Sequence, residues 1–294
     1  MTDRSFRDYF RSCNHVVNAF GRNRVVDDLA TDDFARLRTE LSKTRGPVAL
    51  GNEITRIRML FKFGYDEGLI EKPMRYGQSF KKPSKKTLRQ ERERNGPRMF
   101  ESDELRRIIG AAPQPLRTMT LLAINCGFGQ SDVANLPRNA VDLEGGWITY
   151  ARAKTGIPRR CPLWPRTIEA LRDAIENRPE PNDTADADCV FLTSYGNRWV
   201  RMSNHEDPSK RTAKNAVAQQ FAKLLQHLGI NGQRNFYAAK HSFQTVAEDS
   251  RDLPAVKHIM GHADDSMSAV HRERISDERL RAVVAVVHEW LFGQ

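Results

Sequence analysis

Apolar residues in the first seventy positions recur at helical rather than alternating spacing. Phe6, Tyr9, Phe10, Val16, Val17 and Phe20 lie close to one face before Gly21, which predicts an amphipathic helix that ends there. Thr31-Asp-Asp opens a second helix with Phe34, Leu37 and Leu41 on one side, closed by Gly46-Pro47. A third carries Ile54, Ile57, Leu60, Phe61 and Tyr65 on one face, interleaves Arg56, Arg58 and Lys62, and closes at Gly68. The pattern predicts a small all-helical module with a basic surface.

Beyond residue 98 the periodicity changes. Ser102 is the expected N-cap of a helix through Ile109, and an almost wholly apolar helix follows from Leu116 to Cys126. Trp147-Ile-Thr-Tyr150 and Arg160-Cys-Pro-Leu163 read as two short strands of a hairpin around Lys154-Thr-Gly156, and Val190-Phe-Leu192 as a further strand. Helices are expected again over 212–228, 237–250, 254–260 and 276–292, the last with Leu280, Val283, Val284, Val287 and Leu291 on one face. This is a mainly α fold with a small β-sheet (α+β), without internal repeats.

A chain of 294 residues with 39% hydrophobic content can bury two modest cores. No apolar run reaches the length of a membrane span and the N-terminus lacks a signal peptide's apolar segment, so a cytoplasmic protein with no membrane partner is expected. Cys13, Cys126, Cys161 and Cys189 are scattered, which disfavours both a zinc ribbon and a disulfide framework. A formal charge of +10 points to a polyanionic partner, nucleic acid before membrane. That charge is concentrated: between Lys81 and Arg98 eight Lys or Arg face only Glu91 and Glu93. With Pro83 and Gly96-Pro97 as punctuation, the segment reads as an extended basic linker over 81–97, between a helical domain at 1–80 and a mixed domain at 98–294. A charge run is often only a solvated face. Placed between two folded blocks, its Lys81, Lys82, Lys85 and Lys86 become candidate DNA contacts.

The candidate chemistry lies near the C-terminus, where Phe236-Tyr-Ala-Ala-Lys-His-Ser-Phe243 precedes Met260-Gly-His262 and then Val270-His-Arg-Glu-Arg-Ile275. This order resembles the active-site half of the tyrosine recombinases, the phage integrase family, which cut and rejoin DNA through a covalent phosphotyrosine. The resemblance implies a helical, SAM-like core-binding domain followed by a tyrosine-recombinase catalytic-type domain, closed around double-stranded DNA. In-line attack on a phosphodiester builds negative charge on its non-bridging oxygens, so cationic donors, a nucleophile and an acid must converge on it. Lys154, in Lys-Thr-Gly-Ile-Pro-Arg-Arg-Cys-Pro-Leu163, is similar to the hairpin lysine that acts as general acid, and Arg159 or Arg160 is expected to face the phosphate.

Other positions of the pattern are altered. Lys240 stands at the second arginine, keeping the charge without the planar fork. Tyr237 stands at the histidine before it, while His241 and His262 match histidine positions. Gly127-Phe-Gly-Gln-Ser-Asp132 puts Gly129 where the first arginine belongs and Asp132 at the acidic place. His271 falls at the nucleophile position. An imidazole nitrogen reaches roughly 2 Å less far than a phenol oxygen, and a misplacement of about 1 Å can cost on the order of a hundredfold.

The resemblance therefore implies a DNA-binding protein of the integration and recombination lineage with impaired strand cleavage, assembling as a homo-oligomer on DNA without a cofactor. Two other readings stand beside it. One is an active recombinase with a substitute nucleophile, and the other a helical interaction protein that associates through its C-terminal helix. In relatives that helix docks onto a neighbouring protomer, and the same is expected here. A metal reading of His258 and His262 lacks the intervening Glu, so no metal site is expected.

Overall fold

The computed structural model describes residues 2–152, 154–203, 205–264 and 266–293. Its contacts divide the chain into two compact units, Met1–Gly96 with Met202–Ala213, and Pro97–Arg201 with Lys214–Gln294.

In the first unit, α1 (Asp3–Phe20), α2 (Thr31–Thr44) and α3 (Pro47–Asp66) follow the apolar periodicity. Gly46-Pro47 ends α2 and also starts α3, because proline at the first helical position sets φ and lacks only an N–H that would be unpaired anyway. Phe34 is fully buried and its ring meets Phe20, Phe61 and Tyr76 edge-on at 5.4, 5.5 and 5.0 Å. Such contacts between ring edges and faces centre this small core.

The basic segment departs from expectation. Instead of an extended linker, residues Lys85–Arg94 form helix α4, and the whole of 81–96 belongs to the first unit. Pro83 precedes the helix rather than interrupting it, and Ser84 Oγ caps it by accepting from the Thr87 N–H at 3.1 Å. The residues that follow are mostly good helix formers, and Gly96-Pro97 stops them. No α4 residue is buried. Lys81, Lys82, Lys85 and Lys86 are all exposed.

The second unit is built around α6 (Leu116–Cys126), of which every residue except Arg117 is buried. Before it comes α5 (Ser102–Ala111), whose N-cap is Glu101 rather than Ser102, with Glu104 reaching back to the Glu101 N–H at 3.1 Å. After it come α7 (Gln130–Ala134) and the antiparallel strands β1 (Val141–Asp142), β2 (Trp147–Thr149) and β3 (Arg160–Pro162). Then follow α8 (Pro165–Glu176), α9 (Ala216–His227), α10 (Tyr237–Ala247), α11 (Leu253–Met260), α12 (Met267–Val270) and α13 (Asp277–Phe292). Val190–Leu192 is no strand: it is fully buried, but only isolated bridges flank it, Pro137 to Cys189 and Leu192 to Arg198. Residues 213–215 are extended, and α9 starts later than expected because Asn215 caps it.

Three polar stitches hold this unit in register. Buried Asn125 donates to the Pro162 carbonyl at 3.0 Å and accepts from the Trp164 N–H at 2.9 Å, fixing β3 against α6. Trp164 in turn donates to the Val284 carbonyl of α13 at 3.1 Å. Ser242 of α10 accepts from the Phe100 N–H and donates to the Phe100 carbonyl, both at 2.8 Å. The apolar face of α13, expected to dock on a neighbour, is covered within the chain: Leu280, Val283, Val284, Val287 and Leu291 are at most 5% exposed. Arg279 also grips Asp252 with two nitrogens, both at 2.6 Å.

Because Ser242 satisfies two buried backbone groups at once, Ser242→Ala is expected to destabilise the protein by about 1–3 kcal/mol. Urea denaturation that shows no change would mean that Phe100 finds other partners.

Candidate functional site

Helix α10 presents Tyr237, Lys240 and His241 on one face, since residues three and four apart are helix neighbours. Tyr237 is 42% exposed and packs edge-on against His241, with centroids 5.1 Å apart. Lys240 is 2% exposed, its ammonium lies 5.9 Å from the centre of the Tyr237 ring, and its Nζ has no hydrogen-bond partner among the described residues. Burial lowers its pKa to about 8; Asp132 opposes that shift, and the Arg152 and Arg159 guanidiniums add to it.

The start of α7 faces this amine. Gly127 ends α6 in the left-handed region at φ 62°, where a Cβ would meet Phe243 at 2.9 Å and Met260 at 3.1 Å, so only glycine fits. The turn delivers Phe128, Gly129 and Asp132 to the site. Asp132 Oδ2 accepts from the Gly129 N–H at 2.7 Å and Oδ1 from Arg159 Nη2 at 2.8 Å. Arg159 is 1% exposed, donates from Nε to the Tyr150 carbonyl at 2.8 Å, and lies 4.1 Å from the centre of the Phe128 ring. Its remaining nitrogen, Nη1, is buried with no partner among the described residues.

Strand alternation separates the two hairpin arginines. Arg160 points away from Arg159, pairs with Asp277 at 3.0 Å and lies over Trp147 at 4.1 Å. It docks α13 and stays out of the cluster.

Gly261 caps α11 at φ 62°, and a Cβ there would press on Arg152 Cβ at 3.0 Å and Arg159 Cδ at 3.3 Å. Its carbonyl accepts long hydrogen bonds from Arg152 Nη1 at 3.4 Å and Thr155 Oγ1 at 3.3 Å, which rest the hairpin turn upon it. The next residue, His262, has its pKa lowered to about 4 by burial and by Lys240, Arg152, Arg159 and Lys257, so it is neutral near pH 7. Lys154 is exposed in the same hairpin turn. Asp264 accepts from Lys257 at 2.9 Å and from Arg272 at 3.1 Å, and these bonds hold its carboxyl well below the usual range. His271, next to Arg272, is exposed at the C-cap of α12.

Lys240 and Arg159 thus share the Asp132 carboxylate, and Arg152 and His262 lie within reach of their charges. Buried cations in excess of their counter-charge suit an anion with several acceptor oxygens, such as a phosphate. No group of three or more His, Cys, Asp or Glu able to hold a metal occurs among the described residues.

The profile of the phage integrase family matches residues 98–274. The chain belongs to that family. Among its integrase relatives, the tyrosine recombinase XerC of Pseudomonas putida is 26% identical over 301 aligned positions, covering 98% of this chain and 91% of that protein. XerC of Proteus mirabilis is 27% identical over 186 positions, covering 60% of this chain and 55% of that protein. Two solved structures share the integrase fold: a lambda integrase dimer bound to a COC' core site (TM-score 0.66, 14% identity, 94% of this chain and 93% of that one) and the Tn1549 transposon integrase with circular intermediate DNA (TM-score 0.67, 15% identity, 96% and 93%).

Motif spacing does not reach two groups in this region. Arg152 carries no motif of its own, and the Asp132–Arg159 pair spans 27 residues. Alternation along the hairpin would have separated Arg159 from Arg160.

The state of Lys240 is testable without any ligand. An unfolded lysine titrates near 10.4, and the folded one near 8. Between those values the unfolded chain holds more protons, so stability rises with pH across that window, by at most about 3 kcal/mol. Urea melts at the two ends of the window should show this rise in the wild type and a smaller one in Lys240→Met. Equal rises would mean that the amine titrates normally.

Proposed function

We propose that this integrase-family protein binds double-stranded DNA, with the Lys240–Arg159–His262 cluster at a backbone phosphate and α4 along the backbone, and that its strand cleavage is impaired. The observation that carries the reading is the buried Lys240 amine, which has no hydrogen-bond partner among the described residues and stands among other cations. In this reading the helical first unit is the core-binding clamp and the second the catalytic-type domain. Relatives captured as a dimer on a core site and as a tetramer on a Holliday junction favour a homo-oligomer on DNA.

Helix α4 supports the second contact. Lys85 and Lys86 lie in its first turn, where the helix dipole disfavours cations. An arrangement that costs stability in isolation suits an anionic surface. Counterion release then makes affinity fall steeply with salt. Neutralising Lys81, Lys82, Lys85 and Lys86 together is expected to flatten the salt dependence of duplex binding; an unchanged slope would remove this segment from the interface.

Impaired cleavage rests on two positions. His271 replaces the phenol with a shorter, differently placed imidazole, and Gly129 offers no charge. Loss of one preorganised donor costs on the order of a hundred- to a thousandfold in rate. In this reading Tyr237 and His241 hydrogen-bond the phosphate region and Lys154 serves as the acid when the hairpin turn closes.

A nicked suicide duplex made from the gene's own flanking DNA tests the reading. No covalent adduct is expected from the wild type, little from His271→Tyr, and the most from His271→Tyr with Lys240→Arg and Gly129→Arg. Gly129 has φ −97° and ψ 176°, and its nearest neighbour for a new Cβ is Asp132 Oδ2 at 3.3 Å. The backbone therefore admits the arginine, provided that the Asp132 carboxylate gives by a few tenths of an ångström. Robust wild-type cleavage abolished by His271→Ala would instead establish histidine as the nucleophile.

A further inference from the structure

We propose that Arg159 supplies, from the hairpin, a guanidinium that holds a DNA phosphate in the bound state, taking over the binding role of an arginine at position 129 but not its stabilisation of the transition state, with Asp132 fixing its orientation. The inference rests on the DNA-binding reading and deepens it.

The hydrogen bonds of Arg159 are spent unevenly. Nε is held by the Tyr150 carbonyl and Nη2 by Asp132, while Nη1 is buried and has no partner among the described residues. A buried guanidinium nitrogen without an acceptor is costly, and retaining one calls for an explanation. Phe128 and Tyr150, whose ring centres lie 4.1 and 5.1 Å from the guanidinium carbon, restrict its plane. The fork is therefore oriented before any ligand arrives.

Its position fits the missing residue. The same carboxylate that holds Arg159 through Oδ1 holds the Gly129 N–H through Oδ2. Asp132 thus ties a guanidinium from the hairpin, just before β3, to the backbone position whose own side chain is absent. Arg159 Cδ also lies within 3.3 Å of where a Gly261 Cβ would stand, one residue before His262. Close to it, Lys240 Nζ is another buried donor without a partner among the described residues. A phosphate would accept from Nη1 and Nζ together and leave Asp132 in place. The competing account makes Arg159 only the counter-charge of Asp132.

The two accounts separate in the affinity of a fluorescein-labelled duplex of arbitrary sequence, followed by anisotropy in rising NaCl. Arg159→Lys keeps the charge and loses the fork. It should bind roughly tenfold more weakly, the size of one charge-assisted hydrogen bond, while melting near the wild-type temperature. Asp132→Asn with Arg159→Gln removes both charges as a pair, which buried sites tolerate better than loss of one partner. It should lower the slope of log affinity against log salt by about 0.9. A pure counter-charge role predicts wild-type affinity and slope in the double variant, and that result overturns the inference. So does Arg159→Lys binding as tightly as the wild type, which decides the matter alone if the double variant does not fold. Wild-type protein that fails to bind the duplex sinks the DNA-binding reading and this inference with it. Wild-type binding with unchanged Arg159 variants sinks this inference only.

Discussion

The ion pair between Arg159 and Asp132 organises the second unit's functional face. One carboxylate satisfies the N–H of Gly129, the N-cap of α7, and the guanidinium of Arg159, the residue just before β3, so the helix start and the hairpin are fixed relative to each other. Both groups are almost fully removed from water. A pair of this kind adds little net stability against an apolar alternative but is costly to break on one side. Its main effect is geometric. It sets the plane of the guanidinium, and with it the surroundings of Lys240 and His262.

The electrostatics follow from that placement. Lys240 is buried beside the Arg152 and Arg159 guanidiniums, Asp132 offsets them in part, and its affinity for a proton falls. His262, exposed to the same field, stays neutral at physiological pH. A neutral imidazole beside cationic donors can still give or accept a hydrogen bond without adding repulsion. The site is thus pre-charged by arginine and lysine rather than by histidine.

The sequence made the strongly patterned elements legible. Helix α6 is rich in apolar residues because it is buried on nearly every side, and the hairpin strands are bounded by clear turn residues. Helix α4 was hidden by its composition: a dense charge run beside Pro83 looks extended, yet a proline before the N-cap permits a helix. Val190–Leu192 reads as a strand because it joins a β-branched and an aromatic residue in an apolar run, but burial alone does not provide a ladder partner. Motif spacing assigns Tyr237, Lys240, His241 and His262 to one site, and the structure places Tyr237, Lys240 and His241 on α10, with the Lys240 charge acting on His262. The spacing gave no sign that Lys240 is buried or that Arg159 and Asp132 meet, since both facts depend on packing between segments distant in sequence.

Gly129 has one more consequence. Its backbone is in an extended conformation open to any residue, unlike Gly127 and Gly261, whose positive φ and close neighbours demand glycine. Any glycine codon becomes an arginine codon by a change of its first base. The backbone conformation therefore places no barrier in the mutational path to an arginine at this position, and a small shift of the Asp132 carboxylate would make room for it. One base separates this glycine from a charged side chain, while the two structural glycines that flank the site are locked by the architecture itself.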